Sequence, residues 1–409
     1  MAGRPSVAIV GAGYAGLACA VELADAGCRI EVFEASRTLG GRARRVELDG
    51  LAVDNGAHIL VGAYRETLRL MRKVGAGGTA TLKRHPLRLE FPGHVKIAAP
   101  RLPAPLHLAW ALIAARGLPW SDKLAAIGFM RRQQARRFRL AADCTAAELL
   151  AGQPARVRRF LWEPLCLAAL NTPVAIASAQ VFLNVLRDSL AAGRAASDLL
   201  LPAADFSTLF PEPAARFVEA HGGRVHRSAR IRSLDELAAF EHRVLAVAPW
   251  HLAALAPQIA LPDFAWQPIA TLYLQYPPDV RLPFAMAGLD GGHGQWLFDR
   301  GALCGQPGLL AAVISGDGPW QALSRDALAA AVHAQIAALL PTLPPPRRHW
   351  IIEEKRATFA CTPNLDRPAT ATPLPGLWLA GDYVAGDYPA TLEGAVRSGI
   401  AAAQSILNP

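Results

Sequence analysis

Cysteine is sparse in this sequence: six residues in 409, at positions 19, 28, 144, 166, 304 and 361, with no Cys-x-x-Cys pair. That spacing excludes a disulfide scaffold and the common zinc and redox motifs, and it reads as reduced thiols in a cytoplasmic protein. Metal-ligand spacing is absent throughout. No apolar run reaches the roughly 20 residues that a bilayer span requires. The stretch from Leu102 to Ala115 is too short, contains His107 and begins among prolines. The stretch from Val7 to Val21 has the apolarity of a signal-peptide core, but only Arg4 precedes it and Gly11, Gly13 and Gly16 interrupt it, so we assign it otherwise. Charged residues are few, at 18%, and acids are outnumbered: 33 Asp and Glu face 42 Lys and Arg, a net charge of +9. A basic surface attracts nucleic acid or anionic lipid. With no nucleic-acid motif present, the membrane surface is the expected partner and nucleic acid is not.

What the chain does have is apolar residues, 52% of the total, with a mean hydropathy of +0.21. Such an excess lines a large core, a lipid-like pocket or a membrane-facing patch. The length exceeds what one core organises, which predicts two domains. No repeat and no low-complexity linker is visible, and nothing fixes the oligomeric state.

The first chemistry-bearing motif is Gly11-Ala12-Gly13-Tyr14-Ala15-Gly16. A β-branched run, Ser6 to Val10, precedes it, and a helical pattern, Gly16 to Ala26, follows, closed by Gly27. Gly11 allows a tight turn, Gly13 lets a pyrophosphate approach the backbone, and Gly16 lets helix and strand pack closely. The helix N-terminus then faces the phosphates. A second strand, Arg29 to Glu34, ends on the acid that such sites place some 20 residues further on to bind ribose hydroxyls. The segment Leu39-Gly40-Gly41-Arg42-Ala43-Arg44 frees the backbone at Gly41 and offers Arg42 to a phosphate. It resembles the Gly-Gly-Arg signature of the amine oxidase and phytoene desaturase superfamily, and the resemblance implies FAD as the cofactor.

Near the C-terminus, Leu379-Ala380-Gly381-Asp382 reads as a buried strand that ends on a carboxylate. The following helix, opening near Thr391 and Leu392, would aim its positive end at the flavin. The superfamily has Gly-Asp and Glu-Gly-Ala here. Gly223, Val225 and Ile231 resemble its adenine-contacting backbone segment. Three further stretches sharpen the likeness: Asp54-Asn55-Gly56-Ala57-His58, Trp162-Glu163-Pro164-Leu165-Cys166 running on to Asn171-Thr172-Pro173, and Tyr388-Pro389-Ala390-Thr391-Leu392-Glu393-Gly394-Ala395. Together they resemble the hydroxysqualene dehydroxylase family, squalene-associated FAD-dependent enzymes of bacterial hopanoid synthesis, over nearly the whole chain. Where the family pattern has glutamine, this chain has Ala57.

The resemblance implies an α/β (α+β) architecture. A discontinuous Rossmann-like FAD domain of the glutathione-reductase type is expected over residues 1–85, 205–262 and 359–409. A substrate domain with a mixed sheet and a helical, membrane-facing part is expected over 86–204 and 263–358. It implies a long apolar isoprenoid substrate, hydroxysqualene; the scattered cysteines, the basic charge and the apolar excess predict a cytoplasmic, peripherally membrane-associated protein. The membrane face is expected on Leu102 to Ala115, with Trp110, and the basic run from Arg131 to Arg139. Gly11, Gly13, Gly16, Glu34, Gly41, Arg42, Asn55, Gly56, Ile231, Gly381, Asp382, Thr391 and Leu392 are the expected cofactor residues. His58, Asp387 and Tyr388 are the candidate proton donors. Trp162, Cys166 and Asn171 are candidates for the substrate pocket, although core packing explains the i, i+4 pair Trp162 and Cys166 equally well. A carotenoid desaturase, an amine oxidase and a non-enzymatic flavin-binding protein remain open as alternatives.

Overall fold

The computed structural model describes residues 5–78 and 80–408; residues 1–4 (Arg4 among them), 79 and 409, which the expected nucleotide-binding segments include, lie outside. Strand β1 (Ser6–Val10) is buried along its whole length, as a strand covered on both faces must be. Helix α1 (Tyr14–Asp25) follows at once, and β2 (Arg29–Phe33) runs parallel to β1. Gly27 takes the left-handed conformation (φ 74°) that ends α1, and the Cys28 N–H returns to the Leu23 carbonyl. Strands Arg224–His226, His242–Leu245 and Leu377–Leu379 complete a five-stranded parallel sheet, in the order Arg224–His226, β2, β1, His242–Leu245, Leu377–Leu379. The two ends of the polypeptide therefore share one sheet. The C-terminal helix, Leu392–Leu407, lies on α1 so closely that a Cβ added at Gly399 would stand 2.0 Å from the Ala15 carbonyl oxygen.

The pattern from Arg224 to Leu234 predicts extended strand throughout, but the strand stops at His226. Ser228 turns left-handed (φ 56°), and the Ser228 and Ala229 N–H groups bond the Ser36 and Glu34 carbonyls. The backbone leaves the sheet to follow the loop after β2.

The second sheet joins Met286–Gly288, Trp296–Asp299, Leu309–Ser315, Trp266–Gln275 and Arg348–Phe359 in that order. It was expected to be mixed; every pair in it is antiparallel. Three of its strands succeed one another through short connections, which favours antiparallel neighbours. Alternation along Trp266–Gln275 sends Ala270, Leu272 and Leu274 toward helix Arg325–Ala337, with Val332 and Ile336. Tyr273 joins Trp296, Phe298, Ala311 and Val313 on the other face, in a cluster shared with Phe129, Phe160 and Trp162.

Those last residues belong to the helical region, expected from about Pro103 to Ala192, which resolves into short pieces. α2 (Arg65–Lys73) precedes it; within it lie α3 (Leu106–Ile113), α4 (Trp120–Ala135) and α5 (Glu163–Leu170). Pro119 and Pro154 sit at N-caps, where a proline interrupts any preceding helix. α5 ends at Asn171, in the left-handed region (φ 46°), two residues before Pro173.

Candidate active site

Two glycine loops form one wall of the site. Gly11 has φ 105°, and a Cβ there would lie 2.4 Å from the Ala246 carbonyl oxygen. Gly16 is as constrained, with the Gly11 oxygen 2.0 Å from an added Cβ. Gly13 pairs with Gly40, the Gly40 N–H bonds the Ala12 carbonyl at 2.9 Å, and Gly41 (φ 62°) lies against Gly13. α1 starts at this junction with no side-chain cap and no acid in its first turn, so its leading N–H groups are available to an anion. Glu34 receives the Ala12 N–H on one carboxylate oxygen and the Ser36 N–H on the other, each at 2.8 Å. Each oxygen keeps a lone pair for a hydroxyl. Ile231 follows the Ser228–Ala229 turn beside Glu34 and is partly buried.

Arg42 reaches across to the far end of the chain. Its Nη2 lies 2.6 Å from Asp382 Oδ1, and its Nη1 donates to the Ala357 carbonyl. Asp382 is nearly buried, and Gly381 is pinned by its N–H to Ser398 Oγ at 2.8 Å. A Cβ at Gly381 would meet the Tyr383 ring. The Tyr383 hydroxyl is buried and has no hydrogen-bond partner among the described residues. Thr391 accepts the Gly394 N–H and caps the C-terminal helix, whose first residue is Leu392. Turns too tight for a Cβ at Gly11 and Gly16, an uncapped helix start, an arginine and an unsatisfied buried hydroxyl make a donor set that fits a dinucleotide with its pyrophosphate. Gly11, Gly13, Gly16, Arg42 and Asp382 would hold it.

The segment from Asp54 to His58 turns from this wall toward the second sheet. Asn55 donates to the Arg42 carbonyl at 3.1 Å, and the Ala57 N–H meets Thr271 Oγ1 at 3.3 Å. His58 Nδ1 lies 2.6 Å from the Gly56 carbonyl oxygen. A carbonyl only accepts, so Nδ1 carries the hydrogen and Nε2 is the free lone pair of the neutral ring. Burial holds the imidazole below its ordinary pKa, against the Gly56 bond. His58 lines a small cavity with Asp54, Ala57, Phe298, Arg300 and Cys304.

Asp54, which the sequence suggests as a residue shaping the flavin pocket more than as an acid or base, is a titrating group. Its Oδ1 accepts the Phe206 N–H at 2.8 Å, Arg300 Nη1 stands 3.7 Å from Oδ2, and the Tyr273 hydroxyl bonds its carbonyl at 2.8 Å. Burial raises its pKa from 3.8 to about 6, more than Arg300 and the Phe206 N–H lower it. The folded state therefore takes up a proton here. That contribution to stability is complete below 3.8 and is lost as pH rises through about 6. Urea unfolding across this window should show wild type losing up to about 3 kcal/mol relative to Asp54→Asn. Parallel pH profiles for the two proteins would contradict the assignment.

Tyr388 donates its hydroxyl to Asp188 at 2.7 Å and lies under the Arg397 guanidinium. Burial, then this bond, raises the phenol pKa. The Asp387 side chain is 71% exposed, with Arg187 4.0 Å away. Trp162 is buried against Phe129 and donates to Gln153 at 3.0 Å, and Cys166 is fully buried. The adjoining side of α5, with Pro164 and Leu167, lines a second cleft of about 290 Å³ together with Phe91 and Trp296. Asn171 Nδ2 ties the end of α5 to the second sheet through Thr358 Oγ1 at 3.0 Å and the Pro268 carbonyl at 3.3 Å. Phe298 lines the first cavity and Trp296 the second, two positions apart on one strand and one sheet face. The sheet is thus a common floor for both.

The sequence profile of the flavin containing amine oxidoreductases matches residues 14–407. The chain is 32% identical to a hydroxysqualene dehydroxylase of Rhodopseudomonas palustris, over 98% of each protein. It is 26% identical to a probable zeta-carotene desaturase of Synechococcus elongatus, again over 98% of each. In three dimensions it is similar to an oxidoreductase from Methanosarcina mazei, with a TM-score of 0.73 at 13% identity, over 98% of this chain and 100% of the other. The chain is an FAD-dependent oxidoreductase that belongs to the flavin containing amine oxidoreductases and, among them, to the hydroxysqualene dehydroxylase family.

Proposed function

We propose that this protein removes the hydroxyl group of hydroxysqualene reductively, giving squalene for hopanoid synthesis, in the cytoplasm at a membrane surface. The observation that carries the reading is end-to-end similarity to hydroxysqualene dehydroxylases, three of them at 28–32% identity. In the reaction the carbon–oxygen bond breaks toward an allylic cation, the oxygen leaves as water after gaining a proton, and a carbon–hydrogen bond forms at the same carbon. Bound FAD, in its reduced form, supplies the electron pair and hydrogen for that bond. The rest falls to the chain: excluding water, holding a long hydrocarbon and delivering one proton.

The face formed by Trp296, Phe298, Ala311 and Val313 supplies an apolar floor, with Pro164 and Leu167 of α5 on the cleft and Trp162, Cys166 and Asn171 behind them in the helical wall. A cleft of about 290 Å³ is at the low end for ligand pockets, roughly 300–1,000 Å³, so it accommodates one part of such a substrate. For the proton we propose His58 in its charged form: Nε2 first takes a proton from Asp54, which lines the same cavity, and then gives it to the leaving hydroxyl, while Nδ1 stays on the Gly56 carbonyl; Asp387 and Tyr388 are the alternative. His58→Ala should lower kcat by about 10²–10⁴ while flavin content is unchanged. Asp387→Asn and Tyr388→Phe, assayed alongside, transfer the role if they produce that loss and His58→Ala does not.

The reading is tested by incubating purified protein with FAD, a reductant and hydroxysqualene, and measuring squalene by mass. Formation of squalene supports it. A second reading, oxidative desaturation of a carotenoid, draws on the 26% identity to zeta-carotene desaturases. Product from phytoene or zeta-carotene, with none from hydroxysqualene, would favour that instead.

A further inference from the structure

Large apolar side chains exposed on this protein concentrate in one place. Six of them, Leu102, Leu106, Trp110, Ile113, Trp120 and Leu124, fall within residues 102–124, whereas Ile176, Leu323 and Leu407 stand in separate segments. On α3, Leu106, Trp110 and Ile113 keep the i, i+4, i+7 spacing of a single helix stripe, and on α4 Trp120 and Leu124 are i, i+4. A helix stripe of this kind ordinarily faces the core. Here the core side of α3 is His107 and Ala111, while Trp110 is 54% and Leu124 64% exposed. Lys123 joins the two stripes: its Nζ donates to the Ile113 carbonyl at 2.7 Å and stands 4.6 Å over the Trp120 ring.

Charge decides what covers this surface. Residues 101–139 hold eight arginines and lysines against one acid, seven of the nine net positive charges of the whole chain. That acid, Asp122, is buried. Arg101, Arg116, Arg131, Arg132, Arg136 and Arg139 are exposed. Arg131 returns to the Trp120 and Leu124 side of α4 three turns on. A second copy would bring an equal positive charge against it and be repelled. An apolar centre with tryptophans and a margin of arginine matches an anionic lipid surface, where apolar groups enter the headgroup boundary and arginines meet phosphates.

We propose that the surface from Leu102 to Leu124, with the arginines of α4 and the loop after it, docks the protein on an anionic lipid bilayer. The surface continues to the second cleft. Arg116 pairs its backbone with Lys96, Arg156 donates to the Gly117 and His94 carbonyls, and Phe160 lies under both Arg156 and Arg159. Arg159 in turn holds Asp290 at the cleft rim. Docking places that rim beside the lipid, so an apolar substrate passes from bilayer to cleft without crossing water. This entry role rests on the substrate reading above; the docking does not.

The test floats the purified full-length protein with phosphatidylcholine vesicles, with and without phosphatidylglycerol. Binding to the anionic vesicles at low salt, weakening as salt is raised, is expected. Trp110→Ser with Leu124→Ser should weaken it at least about tenfold. Arg131→Ser with Arg132→Ser should weaken it roughly 30-fold. Both double variants should keep wild-type flavin content and unfolding curves. No binding to anionic vesicles, or binding that neither variant alters, overturns the proposal. So does a dimer in sedimentation that Trp110→Ser with Leu124→Ser abolishes. A variant that no longer floats should still convert detergent-dispersed hydroxysqualene while losing turnover of vesicle-borne substrate. If wild type floats yet converts neither form, the substrate reading fails and the docking stands.

Discussion

Glu393→Ala should lower the free energy of unfolding by roughly 3–5 kcal/mol, because it removes a fully buried carboxylate that four donors share. Glu393 has no exposed surface. It accepts the Thr67 N–H at 2.9 Å, the Thr67 hydroxyl at 2.8 Å and the Glu66 N–H at 3.1 Å, and it pairs with Arg397 at 2.8 Å. α2 has no side-chain cap of its own at Tyr64. A carboxylate from the C-terminal helix does that work, at the end where the helix dipole favours negative charge. Removing it strands donors that water cannot reach. Glu393→Gln keeps one acceptor and most of the shape, and should lose about half as much. Urea unfolding followed by circular dichroism measures both. A loss below 1 kcal/mol for the alanine variant would contradict the capping role. The same helix holds Gly381, next to Asp382, through Ser398 Oγ, so the alanine variant should also shed flavin on dialysis.

FAD affinity should fall about 100-fold or more in Arg42→Ala and in Asp382→Ala, on the order of 3 kcal/mol each. The two side chains meet at 2.6 Å, and Arg42 is also fixed by the Ala357 carbonyl. Asp382 is largely buried, so truncating Arg42 leaves a carboxylate without its counter-charge next to the cofactor. Arg42→Lys should restore little, since one ammonium cannot serve the carboxylate and the carbonyl in the same fork geometry. The double variant should lose less than the sum of the single losses, because each single change already breaks the shared contact. Kd values from quenching of flavin fluorescence give the cycle. Strict additivity would mean that the two residues act independently of each other.

Local pattern carried much of the fold. Trp266–Gln275 and Leu309–Ser315 are legible because each is a short, largely apolar run bounded by proline or glycine turn residues. The glycine motif is legible because its strand, helix and second strand are contiguous. What escaped depends on pairing between distant segments, to which no local period refers. Arg348–Phe359 returns antiparallel beside Trp266–Gln275 from a distant part of the sequence, an arrangement that sequence order alone leaves unread, and the strand from Arg224 stops early because a loop after β2 captures its backbone. The site divides in the same way. Arg42 and Asp382 each stand in a recognisable motif, but their contact spans 340 positions. Glu393 sits in the quoted Glu-Gly-Ala stretch, yet its role as cap for α2 needs a partner 326 positions away. Asp54 opens one of the quoted stretches, yet its titration depends on Arg300, Phe206 and Tyr273, which enclose it from distant segments. An acid that closes the apolar run Leu51-Ala52-Val53 was the signal that pointed to burial.

The most direct test of the account is a single turnover without oxygen. Enzyme carrying one reduced FAD is mixed with hydroxysqualene, and flavin absorbance is followed while squalene is measured in quenched samples. The account predicts that the oxidised flavin spectrum returns in step with one squalene per flavin. A spectrum that stays bleached in the presence of substrate, or oxidised enzyme that bleaches on adding squalene or phytoene, would contradict it.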